Sequence, residues 1–213
     1  MLNLLVVYDN EDVHRGDYFQ ASYQHLFDNT TIDTNYLNRR FLHTTAAQTH
    51  TIDHHTGQFN GQPFVFVAYA HGSENELFLA NMPYIHRQNA YLFAQTLFYA
   101  CSCWAAKELG QNLRQQGCKV FIGYDAPIST LNPETEPFYY TCENAFLTYF
   151  LNTRHSIQDC LSLMYDKYEE MRRHLLTHYG LFEASVLENN LNAFKIMCAE
   201  EDLALTKEDF FVL

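Results

Sequence analysis

The sequence predicts an α/β domain built on a mostly parallel sheet with helices on both faces. Four short apolar runs of strand length (Leu2–Asp9, Phe64–His71, Thr96–Cys101 and Cys118–Asp125) are separated by stretches of helical period. From Phe138 onward the pattern is helical throughout, so extra C-terminal helices are expected to cover the sheet. Strand–helix–strand alternation of this kind implies parallel strands joined by right-handed crossovers.

Each element has its own signal. Leu2–Asp9 is a continuous apolar run that ends in polar residues, as a strand covered on both faces does. Phe19, Tyr23, Leu26 and Phe27 recur at helical spacing, which predicts a helix over about Tyr18 to Asp28. A second strand is expected near Thr31–Leu37 and a helix within Arg39–His55. Gly61 and Pro63 introduce the buried strand Phe64–His71. Glu76–Ala80 and Tyr84–His86 flank Asn81-Met82-Pro83, predicting a hairpin. After the strand Thr96–Cys101, a helix is expected from about Trp104 to Gln116, stopped by Gly117. Ala126–Pro137 carries three prolines and reads as a loop. Ser156-x-x-Asp159 resembles a capping box opening a helix to Tyr179, and Glu183–Glu200 repeats the helical stripe.

Composition narrows the function classes. The chain has 213 residues, 47% of them hydrophobic and 15% aromatic, which suits one packed domain over 1–213, with 138–213 as a helical part on the sheet. Asp and Glu total 25 against 13 Lys and Arg, a net charge of −12 that argues against nucleic-acid binding. The longest strongly apolar stretch, Leu97–Ala106, is far below the roughly 18 residues of a membrane span. No basic residue precedes the apolar start, so a secretory signal is not expected. Six cysteines without a C-x-x-C pair read as reduced thiols in a cytoplasmic protein.

In parallel sheets the reactive groups gather beyond the C-terminal ends of the strands. Three strand ends carry chemistry: Phe64–Ala70 delivers His71 and Gly72, Thr96–Ala100 delivers Cys101, and Val120–Tyr124 delivers Asp125. A thiol beside an imidazole is the minimum equipment of a cysteine hydrolase. A helix N-terminus just after Cys101 would favour its thiolate. The N–H groups of Gly72 and Cys101 are candidate oxyanion donors. Each residue also has a plain structural reading, as a hydrogen-bonded strand-end histidine and a small core thiol. Cys103 is a rival nucleophile, ranked behind Cys101 because it is expected within the helix start.

An apolar strand ending in His-Gly, a spacer, an apolar strand ending in Ala-Cys, a helix and a further strand together resemble the caspase-like cysteine peptidases. That group includes caspases, metacaspases, clostripain-like and separase-like enzymes and bacterial CHAT domains. The resemblance covers Phe64–Asp125 with Leu2–Asp9 as first strand, about half the chain, and is nearest the CHAT and bacterial caspase-like branch. It implies a caspase-like three-layer sandwich, His71 as catalytic histidine, Cys101 as nucleophile, and Gly72 in the oxyanion hole. The caspase Gln-Ala-Cys-x-Gly is replaced by Tyr99-Ala100-Cys101-Ser102-Cys103, and the interval from 71 to 101 is 30 residues rather than about 50. Asp125 stands where clostripain-like and separase-like relatives hold an acidic specificity residue, so cleavage after Lys or Arg is expected, with Asp9 and Asp12 as alternative acids.

The resulting expectation is a cysteine endopeptidase using a His71–Cys101 dyad, without metal or other cofactor. Its expected partners are a protein substrate and an activating protein. The resemblance extends this to bacterial or antiviral defence and cell death, where such enzymes cut gasdermin-like effectors. The competing expectations are a flavodoxin-like binding or scaffolding module and a degenerate caspase-like domain that binds a partner without cutting it. His43, His50, His54 and His55 invite a metal reading, but no His-Glu-x-x-His motif or marked third ligand accompanies them. No glycine-rich phosphate loop follows any predicted strand.

Overall fold

The computed structural model describes residues 1–30, 37–43, 49–59 and 61–212. Among them, nine strands and six α-helices alternate in the order β1 (Leu2–Tyr8), α1 (Gly16–Asp28), β2 (Leu37–His43), α2 (Thr49–Gly57), β3 (Phe64–Tyr69), β4 (His71–Gly72), β5 (Leu77–Leu79), β6 (Met82–Ile85), β7 (Thr96–Cys101), α3 (Glu108–Gln115), β8 (Val120–Tyr124), α4 (Glu136–Asn152), α5 (Ile157–His178), α6 (Leu181–Ala193) and β9 (Phe194–Cys198). Six strands form one sheet in the order β2-β1-β3-β7-β8-β9, parallel except for β9. The expected three-layer α/β arrangement is therefore present.

The apolar runs become central strands because both of their faces are covered. Along β1, Leu4 and Val6 join the core under α1, α4 and α5, whereas Leu5 and Val7 join the opposite core with α2, α3 and the β5–β6 hairpin. β3, β7 and β8 repeat the split: Tyr69, Tyr99, Cys101 and Tyr124 face the first layer, and Phe66, Phe98, Ala100 and Phe121 the second. The C-terminal helices share the first core through Phe146, Phe150, Met164, Tyr168 and Leu187. No helix among the described residues is long and apolar enough to cross a membrane.

Several boundaries move for physical reasons. Residues 31–36 of the expected second strand lie outside the described residues; the strand itself runs over Leu37–His43, taking residues expected to be helical. The hairpin turns at Ala80 and Asn81, both at positive φ (47° and 64°), which leaves Met82 and Pro83 in the strand. Pro137 lies in the first turn of α4, where its missing N–H costs nothing. Ser156 and Asp159 form the expected capping box of α5.

The largest correction is at the C-terminus. Helix α6 ends at Ala193, and Phe194–Cys198 pairs antiparallel with β8 instead of continuing the helix. Without it β8 would present an unpaired edge beside the core, and Phe194 adds a ring against Tyr124 at 5.6 Å. Leu191, Phe194 and Met197 fit a helical period equally well, so the sequence pattern alone does not reveal the switch.

Candidate active site

The C-terminal ends of β3 and β7 are adjacent and in register, with Tyr69 opposite Cys101. Two residues on, past the ends of both strands, lie His71 and Cys103. The two loops are tightly apposed. A Cβ on Gly72 would lie 2.3 Å from Ser102 Oγ and 2.6 Å from the Cys103 carbonyl oxygen, so only glycine fits. Ser102 is buried and donates to the Ala70 carbonyl at 2.8 Å, tying the strand ends together. Gly72→Ala is accordingly expected to lower stability by about 2 kcal/mol, a cost of overpacking, measured by urea unfolding.

His71, Cys101 and Cys103 line one pocket at the N-terminal end of α1, bounded by Arg15, Tyr18, Ile128 and Thr130. His71 Nε2 lies 3.0 Å from Asp12 Oδ2, and its ring stands edge-on to Phe19 at 5.5 Å. The other Asp12 oxygen accepts the amides of His14 (2.9 Å) and Arg15 (2.6 Å). Burial raises the Asp12 carboxyl, but these amides and His71 outweigh it and hold the group below its ordinary range. Asp12 is thus a fixed anion beside the imidazole, leaving Nδ1 as the ring nitrogen available for proton exchange.

The two thiols differ in environment. Cys101 is 1% exposed, its side chain lies under the pocket, and its Sγ donates to Glu143 Oε2 at 3.2 Å. Burial, reinforced by Glu143, pushes this thiol well above its usual range, the opposite of what a nucleophile requires. Cys103 is half-buried, and its Sγ accepts the Ile128 N–H at 3.2 Å. Burial raises the Cys103 thiol as well, opposed by the Ile128 amide and the Arg15 charge. The expected helix-dipole effect on Cys101 does not arise, because turns over Cys103–Lys107 separate it from α3, which begins at Glu108. Trp104, directly after Cys103, holds φ 63°, and the Cys103 amide donates to no backbone carbonyl among the described residues.

The acids expected to read the substrate lie elsewhere. Asp125 pairs with Lys195 at 3.3 Å and does not line the pocket. Asp9 is buried, where it accepts the Ala80 amide at 2.9 Å and the Glu11 amide at 3.2 Å, anchoring the hairpin. Among the described residues, the only Lys or Arg lining the pocket is Arg15, bonded to Thr130 Oγ1, with its guanidinium 5.8 Å from the Tyr18 ring centre. Ser129, between Ile128 and Thr130, is held by Asn190 of α6 through two backbone bonds of 3.0 and 2.8 Å. The loop after β8 therefore forms one wall of the pocket.

Sequence reasoning missed Arg15 and Glu143, and it named Asp12 as a pocket acid without pairing it with His71. The signal for Cys103 lies in strand register: Phe64 stands opposite Thr96, so His71 and Cys103 are each seven residues further on. Among the histidines set aside for metal binding, His54 pairs with Gln58 at 2.7 Å and His55 with Arg40 at 3.0 Å; the side chains of His43 and His50 lie outside the described residues. No protein-family model matches this sequence, and no curated protein is similar to it.

Proposed function

We propose that the chain is a cysteine endopeptidase of caspase-like architecture in which Cys103, not Cys101, is the nucleophile. The observation that carries this reading is that a half-buried Cys103 thiol and an Asp12-held His71, just past adjacent strand ends, line one pocket. With its thiol raised by burial, the resting nucleophile is protonated, and His71 accepts the proton as sulfur attacks the scissile carbonyl. The S–C bond forms and the carbonyl electrons move to oxygen, which the amides of Gly72 and Cys103 stabilise. Collapse breaks the C–N bond, and His71 returns its proton to the departing amine. Water, deprotonated by His71, then hydrolyses the thioester. Asp12 stabilises the imidazolium formed in both halves of the cycle.

The same geometry favours an acidic residue before the cut. Arg15 offers a guanidinium to the pocket with no carboxylate within ion-pair distance among the described residues, whereas neither Asp125 nor Asp9 reaches it. A carboxylate side chain would gain a charge-assisted bond there, and a Lys or Arg would be repelled.

Peptidyl electrophiles with Asp, Leu or Lys beside the warhead test both points, with the labelled cysteine mapped by mass spectrometry. The Asp probe is expected to label Cys103 fastest, and Arg15→Ala should slow that probe about tenfold or more while changing the Leu probe little. Preferential labelling of Cys101 would sink the nucleophile assignment. A Lys probe that reacts fastest would restore the basic preference. Equal, slow reaction of both cysteines would favour a non-catalytic binding module.

A further inference from the structure

Beneath the pocket lies a carboxylate that the peptidase reaction does not use. Glu143 projects from the middle of α4 into the core and is 1% exposed. Its Oε2 accepts the Tyr18 hydroxyl at 2.6 Å and the Cys101 thiol at 3.2 Å, and both donors are pocket-lining residues. Its Oε1 is buried without a hydrogen-bond partner among the described residues. The Tyr18 ring that binds Glu143 at its hydroxyl carries the Arg15 guanidinium near its face. Arg15 and Glu143 are thus linked through one side chain without forming an ion pair.

We infer that Glu143 is an electrostatic counterweight to Arg15, so that the pocket accepts anionic groups most readily when Glu143 is protonated. The groups facing Glu143 leave it as the member of this cluster that changes charge near neutrality. They are Arg15 and Tyr18 from α1, Tyr69 from β3, Tyr99 and Cys101 from β7 with Cys103 just beyond, Tyr124 from β8, Tyr168 from α5, and Glu136 and Cys142 on α4 itself. Burial raises the phenols and thiols of the cluster, so they stay neutral. Burial also pushes the Glu143 carboxyl up to about 7, against the lowering effects of Tyr18, Cys101 and Arg15. An anion bound at Arg15 adds a second negative charge near this site, and by linkage it draws a proton onto Glu143. Only the naming of the natural ligand, an acidic side chain of a protein substrate, rests on the peptidase reading.

Alkylation of Cys103 by iodoacetate and by iodoacetamide tests the inference without requiring turnover. Both reagents form the same S–C bond with loss of iodide, so the ratio of their rates cancels the thiolate fraction and reports the local field. From pH 6 to pH 8.5 the ratio at Cys103, read by mass spectrometry, is expected to fall about fivefold more in the wild type than in Glu143→Gln. Tyr18→Phe removes one donor to the carboxylate and should move the inflection of the profile to higher pH. Superimposable wild-type and Glu143→Gln profiles, or an inflection unmoved by Tyr18→Phe, would overturn the inference. Absence of peptide cleavage with these shifts intact would remove the peptidase reading and leave the counterweight standing.

Discussion

Cys103→Ala is expected to abolish peptide turnover, by a factor of order 10⁴ or more, whereas Cys101→Ala should lower it less than about tenfold. The asymmetry follows from where the two thiols lie. Cys103 opens onto the pocket beside His71, and losing its sulfur leaves the imidazole with nothing to activate. Cys101 is a core side chain whose removal costs packing and one hydrogen bond to Glu143. Its expected signature is a loss of about 1–2 kcal/mol in urea unfolding, as for other small buried truncations. Turnover of an Asp-containing fluorogenic peptide and unfolding midpoints, measured on both variants, separate the two roles. Turnover lost in Cys101→Ala and retained in Cys103→Ala would return the nucleophile to the Ala-Cys position.

Glu143→Gln is expected to stabilise the protein at pH 8 and to change it little at pH 4.5. The folded carboxyl is raised from 4.5 to about 7, chiefly by burial. Between those values the folded chain retains a proton that the unfolded chain has released, so stability falls as pH rises through the window. Above pH 7 the whole cost of ionising a buried group is present, of order 3 kcal/mol for a shift of this size. Glutamine keeps an oxygen for the Tyr18 hydroxyl and carries no charge, so the variant loses the pH-dependent part. Urea unfolding of both proteins at pH 5 and pH 8 measures it, and an equal difference at the two pH values would contradict the assignment.

Most of the architecture was legible because it depends on local patterning. A continuous apolar run such as Leu2–Tyr8 or Phe64–Tyr69 suits a strand buried on both faces, and Ser156 with Asp159 marks its helix start through bonds three residues apart. The rim carrying the site was legible for the same reason, since strand ends follow from the strands. β9 was not, because Leu191, Phe194 and Met197 satisfy a helical stripe, and only the open edge of β8 makes the extended form better. α3 starts later than its apolar spacing suggests because the chain first turns through Trp104.

Sequence alone determined the layered α/β plan, the placement of His71 and Gly72 at a strand end, and Cys101 at the end of the neighbouring strand, because each follows from periodicity within a short segment. Tertiary structure alone decided that Cys103 stays half-buried while Cys101 is buried against Glu143, that Asp12 holds His71, that Arg15 rather than Asp125 lines the cavity, and that Glu143 lies beneath it. Those relations join residues as far apart as Tyr18 and Glu143. They depend on strand register and on how α1 and α4 pack over the sheet, and a one-residue change of register would turn Cys101 to the opposite face of the sheet.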